Sequence, residues 1–511
     1  MAKHLLLGID IGTSGCKITA FNFQGDVVAS QTETYATFYP AVNWVEHDPL
    51  HWWNAVCKGI NGMIRFGKLH PREIAAIGVA GLSWSWVPMD EGGRPLRRVM
   101  IWLDRRAEGP VQWMKEQAGE ERLFSLSGNP IDPAYGTPKI LWLKEHEPEV
   151  YRKTHQFLQS NSYIVYKLTG AYTQEYSQAY AFHFFNMSQG RYDEQMAETL
   201  GINLEKFPPL SPCHAVVGTV TTAAAQETGL VPGTPVVAGG LDAACCTLGA
   251  GVIQPGQTQE QGGQAGGMSI VLDKPRMHPR LILGYHVVPG LWLLQGGTVG
   301  GSGTLRWFRE ELGAYEEQLG QERGISPFVV MSEEAARIRP GSDGLIFLPY
   351  MAGERSPIWD SNARGVFFGL SFNKTRAHMI RAMMEGVGYS LRHNLETALE
   401  AQAETEFLVS VGGAANSAVW TQLKADIIGK VIQVPFSDHA TTLGAAILAG
   451  VGVGVYRDFA SAVKETVRIQ RIHEPNPINH QIYTRYYQLY LKLYQQLKGC
   501  FGDLAELSLG E

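Results

Sequence analysis

The chain opens on a stretch that leaves it few ways to fold. His4-Leu5-Leu6-Leu7-Gly8-Ile9 reads as a buried strand, and it runs straight into Asp10-Ile11-Gly12-Thr13-Ser14-Gly15. Gly12 and Gly15 permit a tight turn that aims backbone N–H groups into one concavity, a nest suited to phosphate oxygens. Thr13 and Ser14 add hydroxyl donors. A carboxylate at the strand end repels phosphate unless a cation lies between, so Asp10 points to Mg²⁺, held directly or through water. Standing alone, the motif is equally well read as a polar hairpin turn.

A second stretch has the same grammar. Val236–Gly240 reads as a buried strand, and Gly239-Gly240-Leu241 leads to Asp242 at the start of an apolar, helix-like run. A helix N-terminus favours an ionised carboxylate. Such a group beside a glycine-lined cleft is a candidate base for a hydroxyl. An ordinary N-cap accounts for it too.

Glycine is the compositional outlier, 57 of 511 residues, against a usual share of about 7%. Much of the surplus falls in clusters, each expected to follow a strand: Gly262-Gly263-Gln264-Ala265-Gly266-Gly267, Gly296-Gly297 with Gly300-Gly301-Ser302-Gly303, and Gly412-Gly413-Ala414-Ala415-Asn416. Small residues there let a nucleotide approach the backbone, or let a helix lie close on a sheet.

Between the clusters the pattern is α/β. Cys16–Phe21 alternates as a strand, Gln24-Gly25-Asp26 is a turn, and Val27 begins another strand. Asp48 and Pro49 open a helix with Trp52, Val56, Ile60 and Met63 on one face. Thr375 opens another through Glu400, and residues 481–497 form a closing helix. The second half again begins with strands, a glycine loop and an aspartate. This is a weak repeat that predicts two α/β domains meeting near Gln254-Pro255-Gly256.

Several classes are excluded. The composition, 45% hydrophobic and 18% charged, is that of a globular chain. A net charge of -6 offers no basic surface for nucleic acid. Val236–Ile253 carries Asp242 and many glycines, against a membrane span. The six cysteines have no metal spacing and read as reduced core thiols of a cytoplasmic protein. Gly62–Leu69 nearly fits a phosphate loop, but Leu69 replaces the hydroxyl and the segment sits at a helix end.

In this order along the chain, the segments resemble the FGGY family of carbohydrate kinases, its xylulose-phosphorylating branch above all. Gly8–Gly15 resembles the family's first phosphate loop. Pro235–Gly249 resembles the stretch with its catalytic aspartate, which falls on Asp242. Pro138–Pro148, Phe347–Leu370 and Arg381–Glu396 are similar to further family segments, and Val411–Gly429 resembles the adenosine-binding one. The resemblance implies two ribonuclease H-like domains of the actin/sugar-kinase type with a nucleotide cleft between them. Residues 1–253 would carry the sugar side and 254–511 the ATP side. ATP and Mg²⁺ are the implied cofactors, and a small sugar or polyol, D-xylulose first, is the implied partner. Asp242 would accept the proton of the attacking hydroxyl. Asp10, Gly12, Thr13 and Ser14 would hold phosphate and Mg²⁺. Gly262, Gly263, Gln264, Gly301 and Gly412 would line the ATP phosphates, with Gly413, Ala414 and Asn416 near adenosine. A homodimer is the common assembly of soluble enzymes.

Two departures bear on substrate. Where the xylulose branch has Gly-Gln-Met-His-Gly, this chain has Gly81-Leu82-Ser83-Trp84-Ser85, which sets Ser83 and Trp84 at the sugar-contact positions. Trp84 packed at a strand end is an equal reading. In Trp102-Leu103-Asp104, Leu103 replaces the branch's Asn; Asp104 would bind sugar hydroxyls or pair with an arginine. On the ATP side, Gly262-Gly263-Gln264 replaces Gly-Thr-Ser, trading a hydroxyl donor for an amide. Kinases for gluconate, glycerol or erythritol remain alternatives, gluconate needing Arg105 or Arg106 as a cationic partner. A nucleotide-binding actin-like module without kinase activity is the alternative of another class.

Overall fold

The structure, a computed structural model, describes residues 3–509. It resolves into two compact units. The first holds the chain up to Pro255 together with Val271–Leu293 and His439–Arg468; the second holds Gly256–Ile270, Leu294–Asp438 and the chain from Ile469 onward.

The first unit is built on β1 (Leu5–Ile11), β2 (Gly15–Asn22), β3 (Val27–Thr34), β4 (Ile74–Gly81), β5 (Val216–Thr219), β6 (Pro235–Val237) and the short β7 (Gly240–Leu241). They form a sheet in the order β5-β6-β4-β1-β2-β3, with β7 also paired to β4. β1, β2 and β3 are an antiparallel meander, while β4 runs parallel to β1 and β6 parallel to β4.

The second unit repeats this plan. Its strands are β8 (Gln257–Gly262), β9 (Gly266–Leu272), β10 (Trp292–Thr298), β11 (Phe407–Val411), β12 (Ile432–Pro435) and β13 (Ile469–His473). Their order is β13-β12-β11-β8-β9-β10. β8 is antiparallel to β9 and parallel to β11, β11 is parallel to β12, and β12 is antiparallel to β13. The weak repeat expected from sequence is thus a shared core, a run of three neighbouring strands with two more parallel to its first, while the edges differ: β5 precedes β6 in the chain, whereas β13 follows β12.

Period-two alternation assigns β1 its two faces. Leu5, Leu7, Ile9 and Ile11 point into a core with Trp52, Val56, Ile60 and Met63 of the helix Pro49–Arg65. That helix starts as expected, Asp48 Oδ1 accepting the Leu50 N–H at 2.9 Å. The opposite face lies under the helix Ala440–Gly452. An added Cβ at Gly8 would fall 2.0 Å from the Thr442 carbonyl oxygen, and one at Gly78 1.9 Å from that of Ala445. The same helix meets the helix Asp242–Gly249 just as closely: a Cβ on Gly249 would lie 1.9 Å from Ala440 O, and one on Gly444 1.8 Å from Cys245 O. Part of the glycine surplus therefore serves backbone-to-backbone packing rather than ligand loops.

Four local expectations change. The strand expected at Val236–Gly240 breaks at Gly239, where φ is +81° and a Cβ would meet Val79 O at 2.0 Å. Gly296 and Gly297 lie inside β10, where an added Cβ would fall 2.3 Å from Asn394 Oδ1 and 2.8 Å from Arg355 Nη2. The closing helix runs Pro477–Leu509, longer at both ends, and buries Tyr483, Tyr487 and Tyr490. The cysteines are all free, but Cys57 is half-buried and Cys500 exposed, so only four are core thiols.

Replacing Gly78 by Ala should cost about 1–3 kcal/mol, because a backbone carbonyl cannot swing aside as a side chain can. Gly62, in the last turn of the helix Pro49–Arg65 with nothing within 4 Å of its added Cβ, should instead gain up to about 1 kcal/mol as Ala. Paired urea titrations check both signs.

Candidate active site

In the first unit, strand register brings the two aspartates together. Asp10 of β1 and Gly240 of β7 both pair with Ala80 of β4, one on each side. Asp242 follows two residues later as the first residue of its helix, with Leu241 as the N-cap. It is therefore not itself a capping side chain, and its Oδ1 accepts the Ala243 N–H at 2.7 Å. Burial first, and then the Asp242 charge, push the Asp10 carboxyl up to about 7. Asp10 Oδ1 is sealed from solvent with no hydrogen-bond partner. Two carboxylates with an orphaned oxygen between strand ends have the chemistry of a cation subsite. No cluster of three or more metal-ligating side chains occurs among the described residues. Mg²⁺ is usually held by one or two carboxylates together with substrate phosphates.

The loop after Asp10 closes as its glycines suggest. Gly12 N–H donates to Gly15 O at 3.0 Å, and a Cβ on Gly15 would strike Glu33 O at 2.6 Å. Two side chains from distant sequence brace it: Tyr35 donates to Gly12 O, and Trp102 Nε1 donates to Thr13 Oγ1 at 3.0 Å. Ser14 is exposed, with Thr13 and Gly12 half-buried.

The residues expected at the sugar positions are placed close by in sequence but hold different environments. Trp84, three residues beyond the end of β4, has φ +55° and is only 3% exposed. Tyr135 stacks on its ring at 4.3 Å, so one ring face is already taken. Its indole N–H is buried with no acceptor. The strained backbone is pinned by Lys139, whose Nζ donates to Trp84 O and Ile101 O at 3.0 and 2.6 Å. Ser83 is half-buried, and its carbonyl takes the Ser85 hydroxyl at 2.8 Å.

Asp104 is fully buried, and the chain already satisfies it. Its Oδ2 accepts from Arg106 Nη2 and from Val45 N–H, both at 2.6 Å, and its Oδ1 accepts the Arg106 N–H at 3.1 Å. Arg106 also reaches Glu46 at 2.8 Å, while Arg105 forms a two-pronged pair with Asp132 at 3.2 and 2.9 Å. The geometry is that of the structural ion pair.

In the second unit the glycine clusters interlock. Ser302 N–H donates to Gly263 O at 2.8 Å, and Ser302 Oγ to Gly262 O at 2.8 Å. A Cβ on Gly301 would strike the Ala265 carbonyl carbon at 2.3 Å, and one on Gly262 would strike Ala414 Cβ at 2.4 Å. Gly412, at φ +87°, turns the chain out of β11 into the short 3₁₀ turn Gly413–Asn416. The structure thus gathers Gly262, Gly263, Gly301, Gly412, Gly413 and Ala414. Gln264 and Asn416 are exposed at the rim. Glu354, which sequence did not single out, anchors the approach to this loop. It accepts Thr298 Oγ1 at 2.6 Å and Val299 N–H at 2.8 Å, and burial raises its carboxyl to about 7. Trp102, Lys139 and Glu354 lie in segments that resemble the family and Tyr35 does not, but the bracing role of all four shows only in their distant partners.

Comparison with known proteins agrees with these features. The model of the FGGY family of carbohydrate kinases, N-terminal domain, matches residues 5–249, and that of the C-terminal domain matches residues 268–453. A xylulose kinase of Staphylococcus epidermidis is 33% identical over 99% of this chain and 100% of its own. A gluconokinase of Bacillus licheniformis is 31% identical over 98% of this chain and 97% of its own. The crystal structure of xylulose kinase from Rhodospirillum rubrum superposes with a TM-score of 0.86 at 28% identity, covering 98% of this chain and 100% of that one. No helix among the described residues is long and apolar enough to cross a membrane.

Breaking the Asp104–Arg106 pair from one side strands a buried charge. Asp104→Asn should therefore destabilise the protein by about 3–5 kcal/mol. The loss should appear in thermal melting without any sugar present, which a purely sugar-binding aspartate would not produce.

Proposed function

The chain belongs to the FGGY family of carbohydrate kinases, and from that premise we propose that it transfers the γ-phosphoryl group of ATP to a hydroxyl of a small neutral sugar, D-xylulose first, giving xylulose 5-phosphate. The observation that carries this is the strand register that sets Asp10 and Gly240 on either side of Ala80, with Asp242 two residues beyond Gly240 and an unpartnered oxygen on Asp10. Asp242 accepts the hydroxyl proton as that oxygen attacks the γ-phosphorus, and the bond to the β-phosphate oxygen breaks to release ADP. Bound Mg²⁺ would supply positive charge to the phosphate oxygens, with Asp10 holding it directly or through water. The Gly12–Ser14 turn offers N–H and hydroxyl donors to phosphate. Phosphoryl transfer asks little of the protein beyond positioning and charge stabilisation. The interlocked glycine loops of the second unit, Gly262 to Gln264, Gly301 and Gly412, are assigned to the nucleotide phosphates, with Gly413, Ala414 and Asn416 at adenosine. Residues 1–253 are taken as the sugar-side sequence domain and 254–511 as the nucleotide-side domain.

A neutral substrate is favoured over an aldonate by the arginines. An anion such as gluconate needs an available cation, yet Arg105 is engaged by Asp132 and Arg106 by Asp104 and Glu46. Relatives named for both substrates make this the point to test. ADP release should depend on Mg²⁺ and be fastest with D-xylulose in a panel that includes gluconate, glycerol and erythritol; fastest turnover of gluconate would overturn the neutral-substrate reading. Asp242→Asn should lower kcat by about 10²–10⁴-fold with KM for ATP little changed. Full turnover in that variant would remove Asp242 from the base role.

A further inference from the structure

A buried polar relay ends at the residue that precedes Asp242. Glu175 caps the short helix Tyr176–Ala179 and is fully buried. Its Oε2 accepts the Ser177 N–H and the Ser177 hydroxyl, both at 2.6 Å, with the Gln178 N–H at 3.3 Å and the Cys213 thiol at 3.4 Å. With its proton committed to Glu175, the Ser177 hydroxyl turns a lone pair outward. That lone pair accepts the Leu241 N–H at 2.9 Å. Leu241 is the N-cap of the helix Asp242–Gly249 and has no capping side chain of its own. Ser177, itself fully buried, comes from 64 residues away to hold the backbone N–H of that residue, immediately before the helix.

The neighbouring backbone is held as firmly. Cys213 O accepts the Gly239 N–H at 3.0 Å, and the Asn161 amide reaches Ala238 O at 3.3 Å. Between these anchors and the helix, Leu241 is held by the pairing of β7 with Gly81 on one side and tethered by the serine through its N–H. A swing of Leu241 about Gly239 and Gly240 would move the Asp242 carboxylate relative to Asp10.

We propose that Ser177, oriented by Glu175, is the positioning residue for Asp242, fixing the start of its helix so that the carboxylate meets the attacking hydroxyl. This rests on Asp242 being the base. Positioning acts on the chemical step, since a displacement of about 1 Å at a reacting group can cost about 10²-fold. It should leave nucleotide and sugar binding nearly unchanged.

The test is steady-state kinetics with Mg-ATP and the panel's best sugar, alongside thermal melting. Ser177→Ala should lower kcat by about ten- to hundredfold, with both KM values little changed, and Ser177→Thr should restore most of it. If the alanine variant does not fold, Ser177→Cys keeps the volume with a poor acceptor and should show the same loss of kcat. Placed on Asp242→Asn, Ser177→Ala should remove none of the residual turnover, because the two act through one group. Wild-type kcat in a folded Ser177→Ala or Ser177→Cys protein overturns the proposal, as does a further independent loss on the Asp242→Asn background. Failure of the base assignment is read separately, from Asp242→Asn alone.

Discussion

Everything at the first unit's site hangs on backbone packed against backbone without side chains between. Gly8 and Gly78 let the helix Ala440–Gly452 lie on β1 and β4, and Gly249 with Gly444 lets that helix meet Asp242–Gly249. Each added Cβ would sit at or inside 2 Å of a carbonyl oxygen, so none of these spacings has slack. Protein interiors of this density are not continuously deformable. The carboxylate at the end of β1 and the one at the head of the following helix are therefore held by one rigid knot. That is how two like charges come to be kept close enough for one to raise the proton affinity of the other. A site that stores such repulsion is poised for a cation.

Polar braces supplement the knot. Tyr35 and Trp102 reach the Gly12–Gly15 turn, Lys139 pins Trp84, and Ser177 holds Leu241. Glu354 in the second unit and Glu175 in the first are alike in that a buried carboxylate collects a hydroxyl and backbone N–H groups, those of Thr298 and Val299 in the one and of Ser177 and Gln178 in the other. Burial raises both carboxyls to about 7, and the hydrogen bonds each accepts work against that rise. Such anchors suit loops that must keep their shape while little else packs on them.

The sheet plan and the family were legible in the sequence, because strand ends, turn glycines and an aspartate at the head of a helix are local signals. The Asp48 cap and the Thr375 start are equally local, and the structure has both. The environments of Trp84 and Asp104 were not legible. Whether an indole faces a ligand or a tyrosine, and whether an aspartate meets a hydroxyl or an arginine, depends on Tyr135, Arg106 and Val45, and nothing in the local pattern says which. The glycine surplus was half legible: composition located the loops, but Gly8 and Gly78 look like ordinary strand residues until the helix Ala440–Gly452 is laid across them. Its place in the first unit, far along the chain, has no local signature at all.

The most direct test of the account is a crystal structure with ADP, Mg²⁺ and D-xylulose bound. A cation beside Asp10 Oδ1 and a sugar hydroxyl within hydrogen-bond distance of the Asp242 carboxylate are the expected result. A sugar bound away from Asp242, or a cation that leaves Asp10 untouched, would contradict it.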